Sequence, residues 1–269
     1  MTNRRSDYLA LLGLTEWVRR DQAGREEPVL ADVVAPAPEP VPAGVTAVAD
    51  PPEAPAALPM ADTAARAPDA GPGPAGACHA PAPRDWEALA AQVAACTACP
   101  LHETRTQTVF GVGQRQADLM LVGEGPGEQE DLRGEPFVGA AGQLLDQMLA
   151  AIGQSRASTV YIANVVKCRP PGNRKPHAAE AAACRDYLEA QIELVRPRLI
   201  VALGQVAAAG LLGEDAPVGR MRQGSHVHPA SQTPVIVTYH PAYYLRQPLE
   251  KRKGWEDLKR IRALLNSPR

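Results

Sequence analysis

Residues 117–131 read ADLMLVGEGPGEQED, a compact apolar run that breaks into a glycine-rich turn crowded with carboxylates. The run is long enough for a strand and too short for a helix. Its lack of polar alternation is what a strand covered on both faces requires. Three more such runs follow, VYIANVV at 160–166, PRLIVALG at 197–204 and TPVIVTYHP at 233–241. Helical patterns fill the intervals at 140–151, 178–195 and 204–212, and a last one covers 254–265. Another starts behind a capping Asp85, with Trp86, Leu89 and Val93 on one face. Strands alternating with helices predict a three-layer α/β/α sandwich around a short, mainly parallel four-stranded sheet, spanning 85–269. Such sheets bind ligands beyond the carboxyl ends of their strands, so the site is expected in the turns after these runs.

Upstream of this domain the chain changes character. Residues 28–84 contain 14 prolines and 18 alanines among 57 residues, with no Phe, Tyr or Trp. Such a segment buries too little apolar surface to offset its ordering entropy, and it is expected to be a disordered linker. Within residues 1–27, DYLALLGLTEWVRR (7–20) places Leu9, Leu12 and Trp17 near one face of a short helix. It reads either as a helix lying on the domain or as a docking peptide on a long tether.

Across 269 residues the formal charge is -2, but it is unevenly spread. Residues 1–85 hold 12 acidic against 7 basic residues, leaving a mildly basic domain. Histone-like polybasic tails are excluded; nucleic-acid binding is not. No run of 18 apolar residues occurs and no signal-peptide core forms, so a cytoplasmic protein is expected. In that compartment the five cysteines are better read as ligands, reactive thiols or buried residues than as disulfides.

Three elements carry chemistry. Cys96-x2-Cys99, Cys168 and Cys184 supply four thiols to one domain, which suits a tetrahedral zinc or a [4Fe-4S] cube, and spacing does not separate the two. The turn Gly123-Glu124-Gly125-Pro126-Gly127 lets backbone approach a ligand closely. It lacks the Lys-Ser ending of a phosphate loop, and its acids would repel phosphate. A neutral polar ligand, or a carboxylate acting on water, suits it better. Last, Tyr239-His240-Pro241-Ala242-Tyr243-Tyr244-Leu245-Arg246 closes the final strand, and residues 244–269 carry eight basic against three acidic side chains. A histidine on a basic, aromatic rim reads as nucleic-acid contact with a hydrogen-bond or proton donor.

Taken together, these residues resemble the family 4 uracil-DNA glycosylases, the iron–sulfur branch of their superfamily. The resemblance covers about residues 86–266. It rests on Cys96-x2-Cys99, GEGPG at 123–127 with Glu130-Asp131, Pro136-Phe137-Val138-Gly139, Asn164 with Lys167-Cys168-Arg169-Pro170-Pro171, Asn173-Arg174, Cys184, and His240-Pro241-Ala242-Tyr243. It implies excision of uracil from single- or double-stranded DNA, by hydrolysis of the N-glycosidic bond of a flipped nucleotide. It also implies a [4Fe-4S] cluster on Cys96, Cys99, Cys168 and Cys184. By the same resemblance Phe137 stacks on uracil, Asn164 reads its O4 and N3–H edge, and His240 donates to O2. Glu124, Glu130 and Asn173 are the candidates for placing water. Gly125 and Arg246 are expected at the substrate, and Tyr244, where the family commonly has leucine, is expected to stack on a base. The domain is expected to act as a monomer, with residues 7–20 recruiting a replication or repair protein. The competing expectation is a non-catalytic DNA-binding scaffold that uses the same N-terminal segment.

Overall fold

In the computed structural model residues 84–268 are described. The expected N-terminal segment and all but the last residue of the linker lie outside them. In chain order the elements are α1 (Trp86–Ala94), β1 (Val112–Gly113), β2 (Leu119–Gly123), α2 (Glu128–Arg133), α3 (Ala140–Ala151), β3 (Val160–Asn164) and α4 (Ala178–Val195). They continue with β4 (Leu199–Leu203), α5 (Gln205–Leu212), α6 (Val218–Met221), β5 (His226–Val227), β6 (Pro234–Thr238), α7 (Pro241–Arg246) and α8 (Lys251–Asn266).

The strands form one sheet in the order β1-β3-β2-β4-β6-β5. Its four inner strands are parallel and correspond to the four apolar runs. The expectation of a four-stranded sheet is corrected at both edges. β1 joins β3 and β5 joins β6, each antiparallel, so the sheet has six strands of mixed direction. Each edge strand is two residues long. No hydrophobic period exists over two residues, and the sequence could not announce them.

Alternation along the inner strands builds two cores. Met120, Val122, Tyr161, Ala163, Ile200 and Ala202 face α1, α4 and α5, packing on Leu89, Val93, Leu188, Ile192 and Leu211. Leu119, Leu121, Val160, Ile162, Val201 and Leu203 face α3 and α8, packing on Leu144, Leu145, Leu149, Leu258 and Ile261. Both faces are covered, which is why these strands read as continuous apolar runs.

A buried polar knot fastens the far end of the second core. Arg222 forms a two-point pair with Asp257 of α8, at 2.7 and 3.2 Å. The hydroxyl of Thr238, the last residue of β6, donates to Asp257 Oδ2 at 2.6 Å and lies 3.1 Å from the Tyr244 hydroxyl. With Asp257 1 % exposed, Asp257→Ala strands an arginine against the core. The expected loss is about 3–5 kcal/mol, read as a lower urea midpoint at unchanged m-value.

Candidate active site

Parallel pairing sets β2 and β3 in a register that ends with Gly123 beside Asn164. The chain after β6 brings His240 to the same end of the sheet. Around these ends lies a pocket open to solvent, lined by Glu124, Gly125, Glu130, Phe137, Asn164, Asn173, His240 and Arg246 among others. Eight of the nine expected site residues outside the thiol set therefore meet in one place.

The ninth does not. Tyr244 is 1 % exposed and its hydroxyl lies in the Thr238–Asp257 knot, so it belongs to the core and cannot stack on a base. α7 turns its neighbour outward instead, leaving Leu245 44 % exposed beside Arg246. The sequence reading singled out Tyr244 alone, and only the phase of the helix shows that Leu245 takes the outward position.

Asn164 is 2 % exposed, and its side-chain Oδ1 is buried with no hydrogen-bond partner. An orphaned acceptor facing a pocket marks a place for a ligand N–H, because leaving it unpaired costs desolvation energy. Its backbone carbonyl accepts from Lys167 Nζ at 2.8 Å, and the same ammonium donates to Gln191 Oε1 at 2.6 Å. Burial lowers the Lys167 pKa to about 8. No sequence period marked Lys167 as the tie that holds this strand end.

The His240 ring stacks on Phe137, with centroids 5.3 Å apart and planes at 28°. His240 caps α7, its Nδ1 accepting the Ala242 N–H at 3.2 Å, which places the ring proton on Nε2. Burial first, then the Arg246 charge, lowers its pKa to about 4, against a smaller opposing pull from Glu130. At neutral pH it is therefore an uncharged donor.

The three candidates for placing water separate by their bonding. Glu130 Oε2 accepts from Gly127 N–H at 3.1 Å, and Oε1 from Val138 and Gly139 N–H at 2.9 and 3.1 Å. Its oxygens brace two loops. Asn173 Oδ1 accepts from Arg169 Nε at 2.8 Å. Glu124 lies in the pocket with its carboxyl pushed up by burial, opposed by the Lys175 charge. A half-buried carboxyl with a raised pKa is suited to proton transfer near neutral pH.

Cys96, Cys99, Cys168 and Cys184 line a second, small pocket together with Arg105, Lys167 and Tyr187. None of the four is in a disulfide. Among the described residues, no three His, Cys, Asp or Glu side chains gather tightly enough to hold a single metal ion. Arg105 Nη1 donates to Cys168 Sγ at 3.0 Å, and the Lys167 N–H donates to Cys184 Sγ at 3.3 Å. Burial pushes the Cys184 thiol up to about 12 and raises Cys99 and Cys168 as well. Thiolates here need positive charge beyond what Arg105 supplies, and this donor set suits a bound metal group.

Close approach of backbone and rings explains the glycine that ends β2. A Cβ on Gly123 would lie 2.4 Å from Asn164 Oδ1 and 2.6 Å from Phe137 Cζ. Gly123→Ala is expected to cost about 100-fold or more in catalytic efficiency through sub-ångström displacement of both groups. Steady-state kinetics beside a thermal melt checks this, the melting temperature moving by only a few degrees.

The sequence pattern of the Uracil DNA glycosylase superfamily matches residues 110–259. The type-4 uracil-DNA glycosylase of Archaeoglobus fulgidus is 44 % identical over 179 residues, covering 64 % of this chain and 89 % of that protein. Its counterpart in Thermotoga maritima is 47 % identical over 161 residues, covering 60 % and 83 %. That of Sulfurisphaera tokodaii is 42 % identical over 189 residues, covering 68 % and 86 %. With the pattern spanning more than half of the sequence and these relatives matched over most of their length, the chain belongs to the type-4 branch of the uracil-DNA glycosylase superfamily and is a DNA N-glycosylase of base-excision repair.

Proposed function

We propose that the pocket receives a uracil nucleotide turned out of the DNA stack and divides its recognition among Phe137, Asn164 and His240. The observation that carries this reading is the buried, unpartnered Asn164 Oδ1 facing the same pocket as His240 and Phe137. Uracil presents N3–H beside O4, so one carboxamide accepts from the first and donates to the second. Cytosine presents an acceptor at N3 beside an amino group and meets the wrong partner at both positions. A site built around buried hydrogen bonds rejects such a mismatch strongly.

Hydrolysis breaks the C1′–N1 bond, and its electron pair leaves with uracil as an anion. His240 Nε2–H donates to O2, where that charge accumulates, and does so as a neutral donor at the strained moment of departure. Glu124 holds the incoming water, stabilises the positive sugar and takes the water's proton. Gly125 keeps the loop low: a Cβ there would meet Val166 at 2.7 Å. Arg246 and Lys175, both exposed at the rim, meet backbone phosphates, and Leu245 fills the gap in the stack. Glu130 and Asn173 act by bracing their loops.

In the same reading Cys96, Cys99, Cys168 and Cys184 hold a [4Fe-4S] cluster. A tetrahedral ion with bonds of about 2.3 Å needs its four sulfurs nearly touching. The resemblance to the type-4 relatives favours a cube of iron and sulfide for these four thiols. When bound, the cluster would supply thiolate-neutralising charge and link the turn after α1, the loop after β3 and α4. The N-terminal segment 7–20 is proposed as a docking peptide for a repair or replication protein, on the strength of its apolar face alone. Among the described residues no helix is long and apolar enough to cross a membrane.

Asn164→Asp is expected to reduce kcat/KM on uracil-containing oligonucleotides by about 10- to 100-fold, one mismatched buried hydrogen bond at ~1–3 kcal/mol. Release of free uracil measures it, and undiminished excision would remove Asn164 from the recognition.

The acid limb of the kcat profile is expected to belong to Glu124, since His240 stays neutral down to about pH 4. Glu124→Gln should lower kcat by about 100-fold or more. Its residual rate should then be level from about pH 8 to 5, whereas an ordinary histidine donor would change protonation near pH 6.5. A residual titration near 6.5 would contradict the neutral-donor role.

Replacing Cys168 by alanine is expected to lower iron and labile sulfide per chain together with the thermal midpoint, because cluster binding contributes to folding free energy. Elemental analysis and calorimetry read both, and a variant with full stability and no iron would refute the structural role.

A further inference from the structure

Phe137 has φ = 56°, a left-handed backbone that a bulky side chain avoids. Strain of this kind persists only where neighbouring contacts over-determine it. Two charged side chains grip this turn from opposite sides. Glu130 takes the N–H groups of Val138 and Gly139. Arg156, in the turn between α3 and β3, takes the carbonyls: Nη1 donates to Pro136 O and Nη2 to Phe137 O, each at 2.6 Å. Its Nε donates to Asp146 on α3 at 2.9 Å, which aims the guanidinium plane. The Arg156 side chain is 19 % exposed. A Cβ on Gly142 would lie 1.7 Å from the Phe137 carbonyl oxygen, so helix backbone closes the remaining side.

We infer that Arg156 is a positioning residue for uracil excision: by holding two successive carbonyls it fixes the left-handed turn that presents the Phe137 ring to the base. A planar fork of donors is needed, because the two oxygens diverge from one another while Asp146 occupies the third N–H direction. With those bonds removed the Phe137 peptide is free to relax toward negative φ, which swings the ring off Gly123 and His240. The alternative for Arg156 is an ordinary ion pair with Asp146, worth little and without consequence for the base. The inference rests on Phe137 being the stacking partner of uracil.

A double-mutant cycle between Arg156→Met and Phe137→Ala separates the two. The measured quantities are the inhibition constant of free uracil, the single-turnover rate on a uracil-containing oligonucleotide, and the affinity for abasic-site DNA. Arg156→Met alone is expected to weaken uracil inhibition and slow turnover by about 5- to 100-fold, the range of one lost base–aromatic stack, with abasic-DNA affinity within about two-fold. In the Phe137→Ala background the same substitution should have almost no further effect. Asp146→Asn, which leaves both carbonyl bonds available, should change uracil inhibition by less than about three-fold. If Phe137→Ala leaves uracil inhibition unchanged, the stacking role itself fails. If Phe137→Ala weakens it while Arg156→Met does not, or the two losses multiply, Arg156 does not act through Phe137. Should Arg156→Met fail to fold by circular dichroism, Arg156→Lys enters the same cycle; a single ammonium cannot span both carbonyls, and wild-type behaviour there would overturn the inference.

Discussion

Everything at the site hangs on the register of four parallel strands buried on both faces. Because each strand alternates its side chains between two cores, a slip of one residue would exchange the cores and put Asn164 on the wrong side of the sheet. The register that satisfies both cores also ends β2 and β3 level with each other, Gly123 against Asn164. That pairing leaves no room for a side chain on the former. The Asn164 amide is thus placed at the pocket by hydrophobic burial along the strands behind it.

Loops beyond the strand ends are held by charges used as fasteners. Glu130 joins the glycine turn to the Phe137 turn through backbone N–H groups. Arg174 pairs with Glu180 at 2.7 and 2.8 Å, and Glu180 also accepts the His177 N–H, which ties the Asn173 loop to α4. Lys167 spends its ammonium on the Asn164 carbonyl and Gln191. The pocket proposed to take a neutral pyrimidine is consequently surrounded by ions, most of them already engaged. Glu124 is the acid left with its carboxyl raised and facing the cavity. Cys168 of the thiol pocket lies in the same connection between β3 and α4 as Asn173.

Much of this was legible in the sequence. Unbroken apolar runs at 117–123, 160–166, 197–204 and 233–241 specified the inner strands and their parallel direction, because only a doubly covered sheet needs them. The glycine turn, Asn164 and His240 converge as positions at or after parallel strand ends require, whereas Phe137, between α2 and α3, reaches the pocket only through the fold. The edge strands were not legible, being two residues long and defined by pairing instead of pattern. Tyr244 was misread for a related reason. Its neighbours at the basic rim pointed outward to DNA, but the phase of α7 and the Thr238–Asp257 bonds turned it into the core.

The sequence by itself determined the period of the inner strands and of the longer helices, the change in composition at about residue 85, and the chemical inventory of the site. Those are local properties, set by side-chain patterning over a few residues. Tertiary structure alone decided which carboxylate remained available, that His240 would be a neutral donor, and that Arg156 would meet the Phe137 turn across nineteen positions of chain. Each depends on burial and on partners brought together by folding, and desolvation and hydrogen bonding act through space without regard to sequence separation.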